Sequence, residues 1–395
     1  MTVEVLPVAS TARRTLLVTS VIHVMNDACF ALLYPLLPFI AADLHLSYTQ
    51  IGMVKASFSA ASSVLQIPAG ILGERCGEAL ILLLGNVWVG LGLVLMATSG
   101  GYALLLLTSL IAGIGGNAQH PLATAIVSRA YVRARRATAL GTLNFTGDLG
   151  KVIGTLVVGV IAVRGGWRMA LVSVGAVTAT LTLPLLIGRR VALPPVDVSV
   201  SAAETGEAHT VTRPGFPFLL VVGALDTATR GAALTFLPFI LARDGVNPAS
   251  VSALFGLIFA AGAAGKFLCG WLGDRWGACA VIVTTELVTA LTLVGFIAAP
   301  VWAIIPIAAL FGFALNGTSS VLSAAVAHFI PPHRRARGYG AYFTAALVSS
   351  ALAPLIYGFL GDAAGLTPVF LVMAAMTASI LLPLAPIWRT LAAMG

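Results

Sequence analysis

The stretch Gly70-Ile-Leu-Gly-Glu-Arg-Cys-Gly-Glu78 occurs a second time as Gly270-Trp-Leu-Gly-Asp-Arg-Trp-Gly-Ala278. The shift is about half of the 395-residue chain. Each copy ends a long apolar run with a glycine-rich tight turn carrying one acid and one arginine. The match holds upstream, where Pro38-Phe39-Ile40 aligns with Pro238-Phe239-Ile240. A repeat at half the chain length predicts two similar halves, and it constrains the fold more than any local feature.

The halves must meet lipid. Hydrophobic residues make up 59% of the chain and charged residues 9%, with a mean hydropathy of +1.00. So few charges do not cover the surface of a soluble domain, where about 25% of residues are charged. The net charge of +8 is not a nucleic-acid footprint, because the arginines form no basic stripe. Cys29, Cys76, Cys269 and Cys279 show neither a CxxC pair nor a histidine at ligand spacing, so no metal or disulfide framework is expected. The polar start, Met1 to Arg14, precedes an apolar run too long for a signal peptide, which reads as a retained transmembrane helix.

A spanning helix needs about 20 apolar residues. Twelve such segments are predicted, at 15–41, 49–72, 79–99, 103–128, 138–163, 167–188, 216–242, 249–272, 279–299, 302–329, 338–361 and 366–388. Ser47-Tyr-Thr-Gln50 opens the second with capping-box spacing. Residues 189–215 are polar and proline-bearing. They read as a cytoplasmic linker between an N-terminal six-helix bundle, 1–188, and a C-terminal one, 216–395. Arginines gather at alternate loops. Arg13 and Arg14, Arg75, the four from Arg129 to Arg136, Arg189 and Arg190, Arg213, Arg275, the three from Arg334 to Arg337 and Arg389 make fifteen, against Arg164, Arg168 and Arg243. That bias predicts both termini on the cytoplasmic side.

Twelve helices as six plus six, a central linker and the duplicated turn G-x-L-x-D-R-x-G resemble the major facilitator superfamily. The resemblance covers the whole chain. It implies two bundles that rock about a central site near the bilayer midplane, giving alternating access. It also implies a conformational lock in Gly70, Gly73, Glu74, Arg75 and Gly77, and in Gly270, Gly273, Asp274, Arg275 and Gly277. Glu74 replaces the family's usual aspartate, and Glu78 stands where a base is expected. Within the superfamily, His23-x-x-Asn26-Asp27 with Pro35 and Pro38, and Gly113-x-Gly-Gly-Asn-Ala-Gln-His120-Pro121, look like the fosmidomycin-resistance type of exporter. The drug-antiporter arginine of helix 4 has no counterpart, and helix 5 lacks the Gly-Pro of that signature.

A charge at membrane depth costs about 2.5–3.5 kcal/mol on insertion scales, so each asks for a reason. Asp27, Lys55, Asp148, Lys151, Asp226, Arg230, Lys266 and Glu286 qualify, and they include all three lysines of the chain. His23 and Asp27 share a helix face at i,i+4. They read as a proton carrier with a relay, or as a structural hydrogen-bond pair. Asp226 and Arg230 have the same spacing in helix 7. Either Arg230 anchors an anion through its planar fork, or the two neutralise each other. Asp148 and Lys151 sit beside Gly147, Gly150 and Gly154, a pattern of close helix contact that favours a structural pair. Lys55 and Lys266 are expected to reach outward along their stems. Glu286 is the repeat partner of Asn86 and a reserve proton carrier with Asp226. Asn26, Tyr34, Asn117, His120, Asn144 and Asn316 complete the candidate substrate-binding set with Arg230, Asp148 and Lys151. His120-Pro121 should kink helix 4.

No GxxxxGK[ST], GxSxG or HExxH occurs, so neither ATP nor enzyme chemistry is expected, and no cofactor or metal. The sequence therefore predicts a monomeric, proton-coupled transporter of the inner membrane, exporting a small anionic or amphipathic compound. Uptake of an organic anion or metal chelate, anchored by Arg230, is the alternative within transport. A non-transporting sensor or scaffold is the alternative outside it, and the buried charges argue against it.

Overall fold

In the computed structural model the described residues are 8–131, 133–189, 193, 215–243, 245–330 and 335–392, and no strand occurs among them. Lipid offers no partner to backbone N–H and C=O groups, so apolar runs of this length satisfy them internally as helices. Ten stretches among the described residues are long and apolar enough to cross a membrane. One of them, Thr138–Ile187, contains Gly166 at φ 76°, ψ 174°. Only glycine adopts that conformation at little cost, so this stretch is two helices. A further passage, Tyr48–Val64 and Gln66–Cys76, is interrupted at Leu65. Pro68 has no N–H for the Val64 carbonyl, which breaks the ladder there. All twelve predicted passages are therefore present.

We label them in chain order. The first is α1 (Val8–Ala31 and Leu33–Leu44), where Pro35 removes the donor for the Ala31 carbonyl. It is followed by α2 (the Tyr48–Cys76 passage) and α3 (Glu78–Met96). Then come α4 (Tyr102–Ile114, a 3-10 turn Gly115–Ala118, and Gln119–Ala130) and α5 with α6 (Arg133–Ile187, parted at Gly166). The second half holds α7 (Phe216–Arg243), α8 (Pro248–Trp276), α9 (Ala278–Ala298) and α10 (Ile304–Phe329). It ends with α11 (Arg335–Ala364) and α12 (Leu366–Ser379). The predicted linker 189–215 lies outside the described residues except for Arg189, Leu193 and Gly215.

Contacts divide the chain differently from chain order. One compact unit is Met1–Leu33 with Ser57–Thr205, and the other is Tyr34–Ala56 with Gly206–Gly395. Within each unit the same close approaches recur. A Cβ on Gly113 of α4 would stand 2.1 Å from the Phe58 carbonyl oxygen of α2. On Gly312 of α10 it would stand 2.2 Å from that of Ile258 in α8. The α1–α6 contact pairs Cys29 Sγ with Thr178 Oγ1 at 3.3 Å, and α7–α12 pairs Thr229 Oγ1 with Thr377 Oγ1 at 3.0 Å. The duplicated turns also match. Gly77 (φ 102°) donates to Gly73 O at 2.9 Å, and Gly277 (φ 87°) to Gly273 O at 3.0 Å. Positive φ is the reason each turn needs glycine at that place.

Large apolar side chains cover the outside, including Trp88, Phe145, Phe267, Leu291, Trp302 and Phe359, all exposed. The charges predicted at membrane depth do the opposite. Asp27, Lys55, Asp148, Asp226 and Glu286 are buried.

Candidate functional site

In the first unit, three helices bring five ionisable side chains together. His23 Nε2 of α1 lies 3.5 Å from Asp27 Oδ1, as the i,i+4 spacing predicts. Lys151 of α5 bridges two acids, 2.8 Å from Asp148 Oδ1 and 3.4 Å from Asp27 Oδ2. His120 of α4 stacks edge-on to His23 with centroids 5.2 Å apart. The two pairs read from local spacing thus form one cluster.

Glycine makes this possible. A Cβ on Gly147 would lie 2.7 Å from His23 Nε2 and 2.9 Å from Asp27 Oδ2. On Gly150 it would lie 2.3 Å from the Val24 carbonyl oxygen, and on Gly154 2.7 Å from Ala28 Cα. The small-residue face of α5 lets α1 approach backbone to backbone, as the sequence predicts.

His23, Asp27 and His120 each offer one ligand atom, all within 4.8 Å of one another. The donor set suits a divalent ion, but the Lys151 ammonium already sits beside Asp27 and supplies the compensating positive charge. Behind the cluster, Asn26 Nδ2 donates to Asn86 Oδ1 at 3.4 Å, and Asn86 Nδ2 to Thr182 Oγ1 at 2.8 Å. Asn144 is exposed on α5, and the side chain of Asn117 lies outside the described residues. The predicted irregularity of α4 appears as the 3-10 turn Gly115–Ala118 just before His120 and Pro121.

The second unit has its own charge centre. Arg230 Nη2 donates to Asp226 Oδ2 at 3.0 Å and to Leu315 O at 2.8 Å. Arg230 Nε is buried without a hydrogen-bond partner. The Asp226 and Glu286 carboxyls, on α7 and α9, lie within hydrogen-bonding reach of each other. Asn316 Nδ2 donates to Gly312 O at 3.1 Å within α10, and it lies on the α8–α10 seam, where a Cβ on Gly262 of α8 would stand 2.4 Å from it. Lys55 does not reach outward as expected. It is buried with its ammonium 4.8 Å from the centroid of the Tyr34 ring. Tyr34 in turn stacks on Phe255 at 6.0 Å. A cation held over an aromatic face is stabilised by the ring quadrupole, which explains a buried lysine beside Tyr34.

The duplicated turns present Glu74, Arg75, Asp274 and Arg275 as exposed side chains. Arg275 also lies 5.6 Å from the Trp271 ring centroid. Sequence reasoning missed the partner of Glu78, which forms an ion pair with Arg129 at the end of α4. The acid found where a base was expected is thus matched by a base one hairpin on.

The sequence profile of the Major Facilitator Superfamily matches residues 19–225 and 219–393. An MFS-type efflux pump of Mycolicibacterium smegmatis is 26% identical over 335 residues, covering 81% of this chain and 77% of that protein. The fosmidomycin resistance protein of Escherichia coli is 30% identical over 142 residues, 36% of this chain and 35% of its own. A bacterial homologue of the human lysosomal transporter Spinster, solved in an inward-facing, unoccupied conformation, superimposes with a TM-score of 0.79 at 17% identity, over 97% of both chains. With two profile matches that together span nearly the whole chain, and a fold shared with a solved transporter, this protein belongs to the Major Facilitator Superfamily and is a multi-pass membrane transporter, not an enzyme.

Proposed function

We propose that the protein is a proton-coupled exporter of a small anionic or amphipathic compound, working by alternating access in a cell's inner membrane. The observation that carries this reading is the cluster of buried His23, Asp27 and Asp148 with half-buried Lys151 on two packed helices. Ion pairs at membrane depth are costly and could be replaced by apolar packing, so their retention points to a working role. Asp27 is the carrier in this reading. Losing a proton there strengthens its pairing with Lys151, and gaining one releases the lysine. Proton occupancy and the α1–α5 contact are thereby linked. His23 relays between Asp27 and His120. Asn26, Asn144, Asn316 and Tyr34 supply polar contacts for substrate. The turns around Glu74-Arg75 and Asp274-Arg275 act as the conformational lock. Export is favoured by the named relatives in Mycolicibacterium smegmatis and Escherichia coli, an efflux pump and a resistance protein.

Proteoliposomes test it, with fosmidomycin as the first probe because the Escherichia coli relative is named for it. An imposed pH gradient should drive flux, and Asp27→Asn should abolish the gradient-driven part while leaving downhill exchange. Undiminished gradient-driven flux in that variant would refute Asp27 as carrier.

Uptake of an organic anion or chelate is the second reading. It rests on Arg230, whose Nε is a buried donor without a hydrogen-bond partner, a group that gains from an acceptor brought to it.

A further inference from the structure

The repeat places Asn26 opposite Asp226 and Asn86 opposite Glu286. In the first unit the two side chains are hydrogen-bonded amides, both buried. In the second the corresponding side chains are two carboxyls, also buried and within hydrogen-bonding reach. The chemistry of the two pairs differs in one respect. An amide carries its own donor, so Asn26 and Asn86 bond without help. An ionised carboxylate only accepts. A hydrogen bond between Asp226 and Glu286 therefore needs a proton that neither residue owns when ionised.

Charge counting gives the same result. Arg230 is a single guanidinium and is committed to Asp226 Oδ2 and to the Leu315 carbonyl. Glu286 Oε1 is buried without a hydrogen-bond partner. Two like charges this close cannot both ionise beside one counter-charge. The other groups facing the pair leave this unchanged. Tyr342 of α11 is a buried titratable neighbour that packs on α7, where a Cβ on Gly223 would stand 2.4 Å from its ring. From α10, Thr318 offers a hydroxyl that donates to Thr285 Oγ1 at 2.7 Å.

We propose that Asp226 and Glu286 form a carboxylic acid–carboxylate pair that binds one exchangeable proton, carried on Glu286 and donated to Asp226, with Arg230 balancing the remaining charge. Release breaks the Glu286 O–H bond, leaves the electron pair on the carboxylate and passes the proton to water. The pair then holds two negative charges against one positive, so release drives the carboxylates apart and loosens α9 from α7. The corresponding Asn26–Asn86 pair of the first unit cannot do this, because neither amide titrates. This inference deepens the proton-coupled reading and rests on it only for its use in transport.

Infrared difference spectroscopy of the purified full-length protein in lipid, at neutral pH, reads the pair without any substrate. The wild type should show the carbonyl band of a protonated carboxyl, shifted in deuterated water. Glu286→Gln should lose it, because the glutamine amide supplies the missing donor. Asp226→Asn should lose it as well, because an asparagine donor and Arg230 together satisfy an ionised Glu286. Asp27→Asn should keep it. Absence of the band in the wild type, or its survival in both Glu286→Gln and Asp226→Asn, would overturn the pair. Failure of the transport reading shows elsewhere, as absent gradient-driven flux in a wild-type protein that still carries the band.

Discussion

At the scale of single residues, the two charge centres differ in how completely they are compensated. Lys151 serves Asp27 and Asp148 together, whereas Arg230 spends one nitrogen on Asp226 and a backbone carbonyl and leaves Nε unused. Arg230→Lys keeps the charge but loses the fork. A weaker substrate affinity, at least tenfold in a binding titration, is expected if Arg230 anchors an anion, and unchanged affinity would remove that role. Gly150 makes a second residue-scale prediction. A leucine there would force side-chain atoms into the Val24 backbone, where even a Cβ stands 2.3 Å from the oxygen. Overpacking of this kind costs about 1–3 kcal/mol, so Gly150→Leu should lower the thermal midpoint and part His23 and Asp27 from Lys151. The spacing of His23 with Asp27, Asp148 with Lys151, and Asp226 with Arg230 was legible because i,i+3 and i,i+4 neighbours share a helix face. That Lys151 also meets Asp27, or that Lys55 lies over Tyr34, was not legible. Periodicity says which side chains share a face and is silent on which helix lies opposite.

At the scale of elements, the start of α2 shows how a helix end is satisfied from elsewhere in the chain. The predicted capping box is present, with Ser47 N donating to Gln50 Oε1 at 3.0 Å and Gln50 N to Ser47 Oγ at 3.3 Å. Asp362 at the end of α11 adds three bonds, accepting from Ser47 Oγ at 2.8 Å, Tyr48 N at 2.7 Å and Thr49 N at 2.9 Å. A carboxylate at a helix N-terminus satisfies free N–H groups and meets the positive end of the helix dipole. Asp362→Ala should cost about 1 kcal/mol. Hydrogen exchange should show faster loss of protection at Tyr48 and Thr49, while Asp362→Asn should recover part of it. The local box could be read from four adjacent letters. The distant acid could not, because it lies more than 300 residues away in sequence.

At the scale of the whole molecule, the twelve passages and their duplication were fixed by hydropathy and by the repeated turns, since lipid allows an apolar run few alternatives to a helix. The compact units were less visible. Tyr34–Ala56 belongs by contact to the unit that holds Gly206–Gly395. Tyr48 meets Phe236 and Phe239 edge-on, and a Cβ on Gly358 would stand 2.5 Å from the Tyr48 carbonyl oxygen. The fragment 216–395 made alone therefore lacks part of its own packing. It should aggregate or exchange amides rapidly, and co-expression with 1–188 should restore a single sharp melting transition. Recovery of a stable 216–395 on its own would count against the division. The seam between α2 and α11 has one more property. A Cβ on Gly52 would lie 2.1 Å from the Pro354 oxygen, as one on Gly358 would crowd Tyr48. Where two bare main chains touch, no rotamer has to flip for one to slip past the other. Such a seam works as a smooth bearing, and the Asp362 carboxylate is a catch at its rim, fastened to Ser47, Tyr48 and Thr49 by three hydrogen bonds.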